Sequence, residues 1–309
     1  MRNRFHFRPI TLTAALALAG ASVAACSSTS DGNDPSGAAD IVATTNVWAD
    51  VASAVTGKDV EAIITGDAVD PHHFEPSAKD LARIRDAGTV VANGGAYDAS
   101  LYTVAEQDRI VHAIPLLDAE EAHDHEHDHE HDHGDHLPDS LDELEHAWFS
   151  PEKVREVADG VAEKAGGDAG GVDTRMRDAE AKLKSLPHVH VAMTEPIAGG
   201  LIWGTELHDI TPEDYLKASL NHQEPSAAAV AAFLEQLENG EVDMLFVNPQ
   251  STNSATQRLA DAAREHNVPV VEIRETPPAG QNFLDYFEQI VDQIADIAAH
   301  AEPSGHHDH

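Results

Sequence analysis

From residue 40 onward the chain alternates short β-branched apolar runs with stretches of helical periodicity. Ile41 to Thr45, Val60 to Thr65, Thr89 to Ala92 and Ile110 to Leu117 have the length and composition of buried strands. Val47 to Val55 and Ala78 to Asp86 fall between them as helices, and Gly94-Gly95 closes the third strand. Order resumes after residue 144. Ser150 suits an N-cap, Pro151 the first helical position and Glu152 the positive helix end, so a helix is predicted from there to about Gly166-Gly167. A second helix, Val172 to Leu186, leads into a strand at His188 to Met193. The alternation then repeats: helix Ser226 to Leu237, strand Val242 to Val247, helix Ser254 to Glu265, strand Val268 to Ile273, helix Phe283 to Ala299. Such alternation predicts an α/β protein with mostly parallel sheets covered on both faces. The chain is expected to cross between two lobes on the helix at 172–187, which gives lobes at 40–171 and 188–302 and a disordered tail at 303–309.

The first 39 residues follow a different pattern. Arg2, Arg4 and Arg8 precede an apolar run from Ile10 to Ala25 that Thr11, Thr13 and Ser22 interrupt. It falls short of the roughly 20 apolar residues a spanning helix needs, so residues 1–25 read as an export signal. Val23-Ala24-Ala25-Cys26 resembles the bacterial lipobox, in which the cysteine is lipidated and becomes the new N-terminus. Residues 26–39, rich in Ser, Gly, Asp and Asn, are then a flexible tether. The expected location is extracytoplasmic, lipid-anchored to the outer face of the cell membrane.

Composition narrows the chemistry. With 55 acidic against 19 basic residues, the chain repels nucleic acid and anionic membrane surfaces and attracts cations. Cys26 is the single cysteine, which excludes an intramolecular disulfide and removes thiolate from the possible metal ligands. A metal site must therefore come from His, Asp, Glu and water.

Five places offer such groups. Asp70-Pro71-His72-His73-Phe74-Glu75-Pro76-Ser77 is a loop stiffened by two prolines, set at the carboxyl end of the second strand, where α/β sheets bind ligands. His146 lies among aromatics just before the Ser150 helix start, and Glu195 and Glu275 each stand just past a strand end. A run at 122–137 alternates imidazole and carboxylate, with His123, His125, His127, His129, His131, His133 and His136. It has no apolar face to fold around, so it is expected to be a mobile loop that binds several Zn, Cu or Ni ions weakly. His125-Glu126-His127-Asp128-His129 matches H-E-x-x-H formally, but that motif needs an ordered helix packed on a core. With no Gly-x-Ser-x-Gly and no Ser/His/Asp arrangement, the chain is not expected to be an enzyme.

In order, Asp70-Pro71-His72 with Phe74-Glu75-Pro76, then His146-Ala147-Trp148-Phe149-Ser150-Pro151, then Glu195, then Glu275-Thr276-Pro277 resemble the metal-binding lipoproteins of bacterial zinc and manganese ABC importers. The resemblance covers essentially the whole mature chain. It implies two lobes, each a small mostly parallel sheet flanked by helices, joined by one long helix, with the metal held between them. It also implies His72, His146, Glu195 and Glu275 as ligands, a monomer, and an ABC permease and ATPase as partners. Departures from the family pattern are Glu145 where proline is common before the histidine, an acid at the third ligand position, and paired glycines at 166–167 and 170–171 that delay the joining helix. The expected cargo is Zn2+, favoured by the His-rich loop, with Mn2+ as the alternative. A second alternative is an extracytoplasmic zinc store or chaperone that works through that loop.

Overall fold

The computed structural model describes residues 40–65, 74–117 and 137–301. Cys26, His72, the histidines of the 123–136 run and the tail after residue 301 lie outside them.

The first sheet is built from β1 (Ile41–Thr45), β2 (Glu61–Ile64), β3 (Thr89–Ala92) and β4 (Ile110–His112) in the order β2-β1-β3-β4, every pair parallel. The second has β5 (Val189–Met193), β6 (Leu207–Asp209), β7 (Met244–Val247) and β8 (Val270–Glu272) in the order β6-β5-β7-β8, again all parallel. The two halves thus repeat one topology. β1, β3 and β7 are buried along their whole length, as strands covered on both faces must be.

The helices are α1 (Asn46–Thr56), α2 (Ala78–Asp86), α3 (Ala99–Tyr102), α4 (Pro151–Ala165), α5 (Gly170–Lys184), α6 (Gly199–Ile202), α7 (Glu213–Leu220), α8 (Ala227–Glu238), α9 (Ser254–Glu265) and α10 (Phe283–His300). Their starts follow local chemistry. Ser77 and Asp80 form a capping box on α2, and the Ser150 hydroxyl accepts from the Lys153 N–H with Pro151 in the first turn of α4.

A single apolar core runs between the sheets. Trp48 and Val51 from α1, Phe149 from the turn before α4, Val154 and Val157 from α4, Met176 from α5, Val191 and Phe246 from the second sheet, and Phe283 and Phe287 from α10 all belong to it. Each sheet also carries a private cluster on its other face, around Ile84 and Leu101 in the first half and around Phe233 and Leu259 in the second. The shared core fixes the two halves to each other, because sliding them apart would expose Trp48, Phe149 and Phe287, each worth about 1.5–3 kcal/mol or more of burial.

Several boundaries differ from the sequence expectation. β4 ends at His112 instead of 117, because the N–H groups of Ala113 and Ile114 both turn to the Asn93 carbonyl. The helix expected at 172–186 runs from Gly170 to Lys184, its start set by Asp168 accepting the Gly170 N–H at 2.9 Å. The turn before it docks on α1: Asp168 N–H donates to the Val55 carbonyl, and a Cβ at Gly167, where φ is +119°, would meet that oxygen. β6 and α7 have no counterpart in the sequence reading. A three-residue edge strand and an eight-residue helix are too short for periodicity to declare them.

Candidate metal centre

His146 is placed by an ordered chain of turns. Ser140 caps a short 3-10 turn at Leu141–Glu143, and His146 then opens a second at Ala147–Phe149, which the Phe149 N–H closes on the His146 carbonyl. Asn93, the first residue after β3, donates its side-chain N–H to the Glu145 carbonyl at 2.8 Å and ties this loop to the first sheet. The imidazole is 3% exposed and stands edge-on to Trp148 and Tyr97, with ring centres 5.3 and 6.2 Å away.

Glu195 follows β5 in extended conformation, and Glu275 follows β8 and is 1% exposed. In a parallel sheet both leave on the carboxyl edge, the side where ligands collect, Glu195 from β5 beside the point where successive connections diverge and Glu275 from the edge strand β8. A backbone contact brings this rim to the histidine: a Cβ on Gly200 would lie 2.7 Å from the Phe149 carbonyl carbon and the Ser150 nitrogen. Only glycine lets α6 approach the His146 turn so closely.

The result is one constellation. His146 Nε2 lies 3.5 Å from Glu195 Oε1, and one ligand atom from each of His146, Glu195 and Glu275 falls within 4.8 Å of the others. Asn248, the first residue after β7, donates from Nδ2 to Glu195 Oε2 and to Glu275 Oε1, both at 3.0 Å. The Ser251 hydroxyl donates to Glu195 Oε2, and the Tyr97 hydroxyl donates to Glu275 Oε2 at 2.9 Å. Burial, reinforced by Glu275, pushes the Tyr97 hydroxyl well above its usual range, so it stays protonated and remains a donor. Next to it, burial raises Asp98 to about 6 although Thr44 and the N–H groups of Asn93 and Gly94 donate to it.

Three of the four residues nominated from the sequence therefore converge, and the fourth, His72, lies outside the described residues. The flank of its loop is anchored, since Phe74 packs on the first-sheet core and Ser77 caps α2. Tyr97, Asn248 and Ser251 are the residues that sequence reasoning missed. The available signal was positional: Asn248 directly follows a buried strand on the rim where Glu195 and Glu275 were already placed.

The chemistry follows from the donor set. Two carboxylates share one partly closed site and are oriented by neutral donors, an arrangement whose charge is costly to bury without a cation. One imidazole nitrogen and two carboxylate oxygens suit a divalent ion of the borderline class.

Comparison with known proteins agrees. No curated protein matches the chain. Among solved structures it is similar to the laminin-binding protein (Lmb) of Streptococcus agalactiae, described as a bifunctional protein with adhesin and metal-transporting activity. The TM-score is 0.58 at 15% identity, covering 84% of this chain and 98% of that one. The solute-binding protein FpvC of Pseudomonas aeruginosa in complex with Mn2+ gives 0.56 at 17%, covering 85% and 99%. The Zn(II)-bound ZnuA-like domain of Streptococcus pneumoniae AdcA gives 0.54 at 16%, covering 84% and 98%. At these identities the structures establish the two-lobed α/β fold. The family model of ZnuA, periplasmic component A of the zinc-uptake complex, matches residues 41–167 and 171–297. The chain belongs to the ZnuA family, the periplasmic metal-binding components of ABC importers.

Proposed function

We propose that this protein captures zinc outside the cytoplasm and delivers it to an ABC permease for import. The observation that carries the reading is the convergence of His146, Glu195 and Glu275, held by Asn248 and Tyr97. His72 supplies the fourth ligand from the Asp70–Ser77 loop. Two carboxylates and two neutral imidazoles then balance the charge of one divalent cation. Four protein ligands leave no open position for an activated water, which suits carriage and not catalysis. The cargo lies between two metal-binding lobes, residues 40–171 and 188–302, that residues 172–187 connect.

The oxygen-rich donor set supports manganese as a second reading, and one similar structure, FpvC, is described as a Mn2+ complex. Zinc is preferred because it lies above manganese in the general affinity order for nitrogen and oxygen ligands. The 123–136 run then acts as a collector: its imidazoles hold exchangeable ions weakly, raising the local concentration without forming part of the site. Cys26 carries the lipid that keeps the protein at the membrane, through the 26–39 tether. The protein works as a monomer.

Competition titration tests the ion and the loop together. One tight zinc should survive deletion of residues 123–136, further weak zinc should vanish with the loop, and equimolar zinc should displace manganese. Retention of manganese against zinc would transfer the assignment to the second reading. Loss of all tight metal with the loop would make the protein a store. Cys26→Ala should release a folded protein from the membrane fraction, and an unchanged membrane fraction defeats the anchor.

A further inference from the structure

A second group of metal-ligating side chains lies at the other end of the second sheet. His190 in β5 and His208 in β6 are direct cross-strand partners, and His188 precedes His190 by two residues, so the three imidazoles share one face. Their ring centres are 5.2 Å apart for His188 and His190, 5.7 Å for His190 and His208, and 5.9 Å for His188 and His208. Imidazoles that bind one ion through nitrogen at about 2.0–2.1 Å in tetrahedral array have centres about 5 Å apart, so this spacing is that of a three-histidine site. A carboxylate is at hand: Glu206 Oε2 lies 3.9 Å from His188 Nδ1. The backbone beneath is fixed, because Asp243 accepts the His190 N–H and donates its own N–H to the His190 carbonyl, both at 2.8 Å.

We propose that His188, His190 and His208 form a second site for a divalent zinc-class cation, with Glu206 completing the coordination. It is separate from the cleft. Glu195 leaves the carboxyl end of β5, whereas His188 stands before its first residue, and a strand rise of about 3.3 Å per residue makes the separation along the chain roughly 20 Å. The ring nitrogens do not converge in the present side-chain orientations. His188 and His208 are both exposed, and turning their rings about χ2 needs no change in the core. An ion there would clip the three-residue edge strand β6 to β5 and so close an end of the sheet that is otherwise held by few ladder bonds.

The test is NMR of the full-length protein labelled at histidine, with zinc alone as the probe, added beyond the equivalent that fills the cleft. The ring signals of His188, His190 and His208, assigned by the variants His188→Gln, His190→Gln and His208→Gln, should shift together. Either exposed-site variant, His188→Gln or His208→Gln, should abolish the joint shift while leaving the cleft zinc bound and the circular dichroism unchanged. Three rings that ignore excess zinc, or one ring that responds alone, overturn the proposal. Because the cleft ion is read separately in the same spectra, failure here leaves the transport reading untouched.

Discussion

Asn93 and Asn248 occupy the same place in the two halves, the first position after the third strand of each sheet, and both are buried. Asn93 spends its amide on a backbone carbonyl, that of Glu145, and so positions the His146 loop. Asn248 spends its amide on two carboxylates at once. The repeated topology thus yields an asymmetric site: the first half contributes a histidine on a long returning loop, and the second contributes acids directly from its strand ends. A shared fold supplies positions, and the residue placed at each position decides whether it builds scaffold or site.

The comparison breaks most easily at the site itself. Glu275→Ala or His146→Ala should lower zinc affinity more than the ~10–100-fold that a supporting residue costs. Chelator competition reads this, and the metal-dependent rise in melting temperature should disappear with it. The metal-free Glu275→Ala protein should change little in stability by calorimetry, since removing a buried charge offsets the loss of the acceptor that Tyr97 and Asn248 share.

Asn248→Ala should fall in that ~10–100-fold range, because it removes the one donor the two carboxylates share without deleting either. Asn93→Ala should instead leave affinity within a few-fold and cost ~1–3 kcal/mol of stability through the unsatisfied carbonyl. At about 2–4 °C per kcal/mol for a domain of this size, calorimetry resolves that loss. Equal damage to affinity from the two variants would end the division of roles drawn here.

Asp98 sharpens the scaffold side. Its carboxyl is raised from an ordinary value near 3.8 to about 6, so between those limits the folded protein holds a proton that the unfolded chain releases. The sign is therefore a stability contribution present below about pH 4, lost as pH rises through about 6, and flat above. The melting-temperature difference between the parent and Asp98→Asn should be larger at pH 4 than at pH 7, and a difference independent of pH would contradict the raised value. The smallest effect is expected at Arg175 in α5, which pairs with Glu288 and Asp285 of α10 at 2.6 Å each. These partners are largely solvated, so Arg175→Met should change stability by only ~0.2–1 kcal/mol, less in high salt.

Much of this was written in the local pattern. Short β-branched runs between helical stretches imposed parallel sheets, because such runs can be buried on both faces only under crossover helices. Ser150 and Pro151 marked a helix start that the cap reproduces. The cation-seeking character followed from charge and from the single cysteine. Pattern could not show how far strands run where neighbouring backbone claims their hydrogen bonds, as Asn93 does with Ala113 and Ile114, nor elements as short as β6. It placed Glu195 and Glu275 at strand ends but could not show that Gly200 brings their rim to His146, nor that Tyr97 and Asn248 hold the carboxylates. Those are contacts between residues 178 and 27 positions apart in the chain, and likewise His188 and His208 meet only through the register of β5 on β6. Burial patterns and caps are short-range consequences of side-chain chemistry and backbone geometry, whereas a binding site is a coincidence of distant groups that only the packed chain enforces.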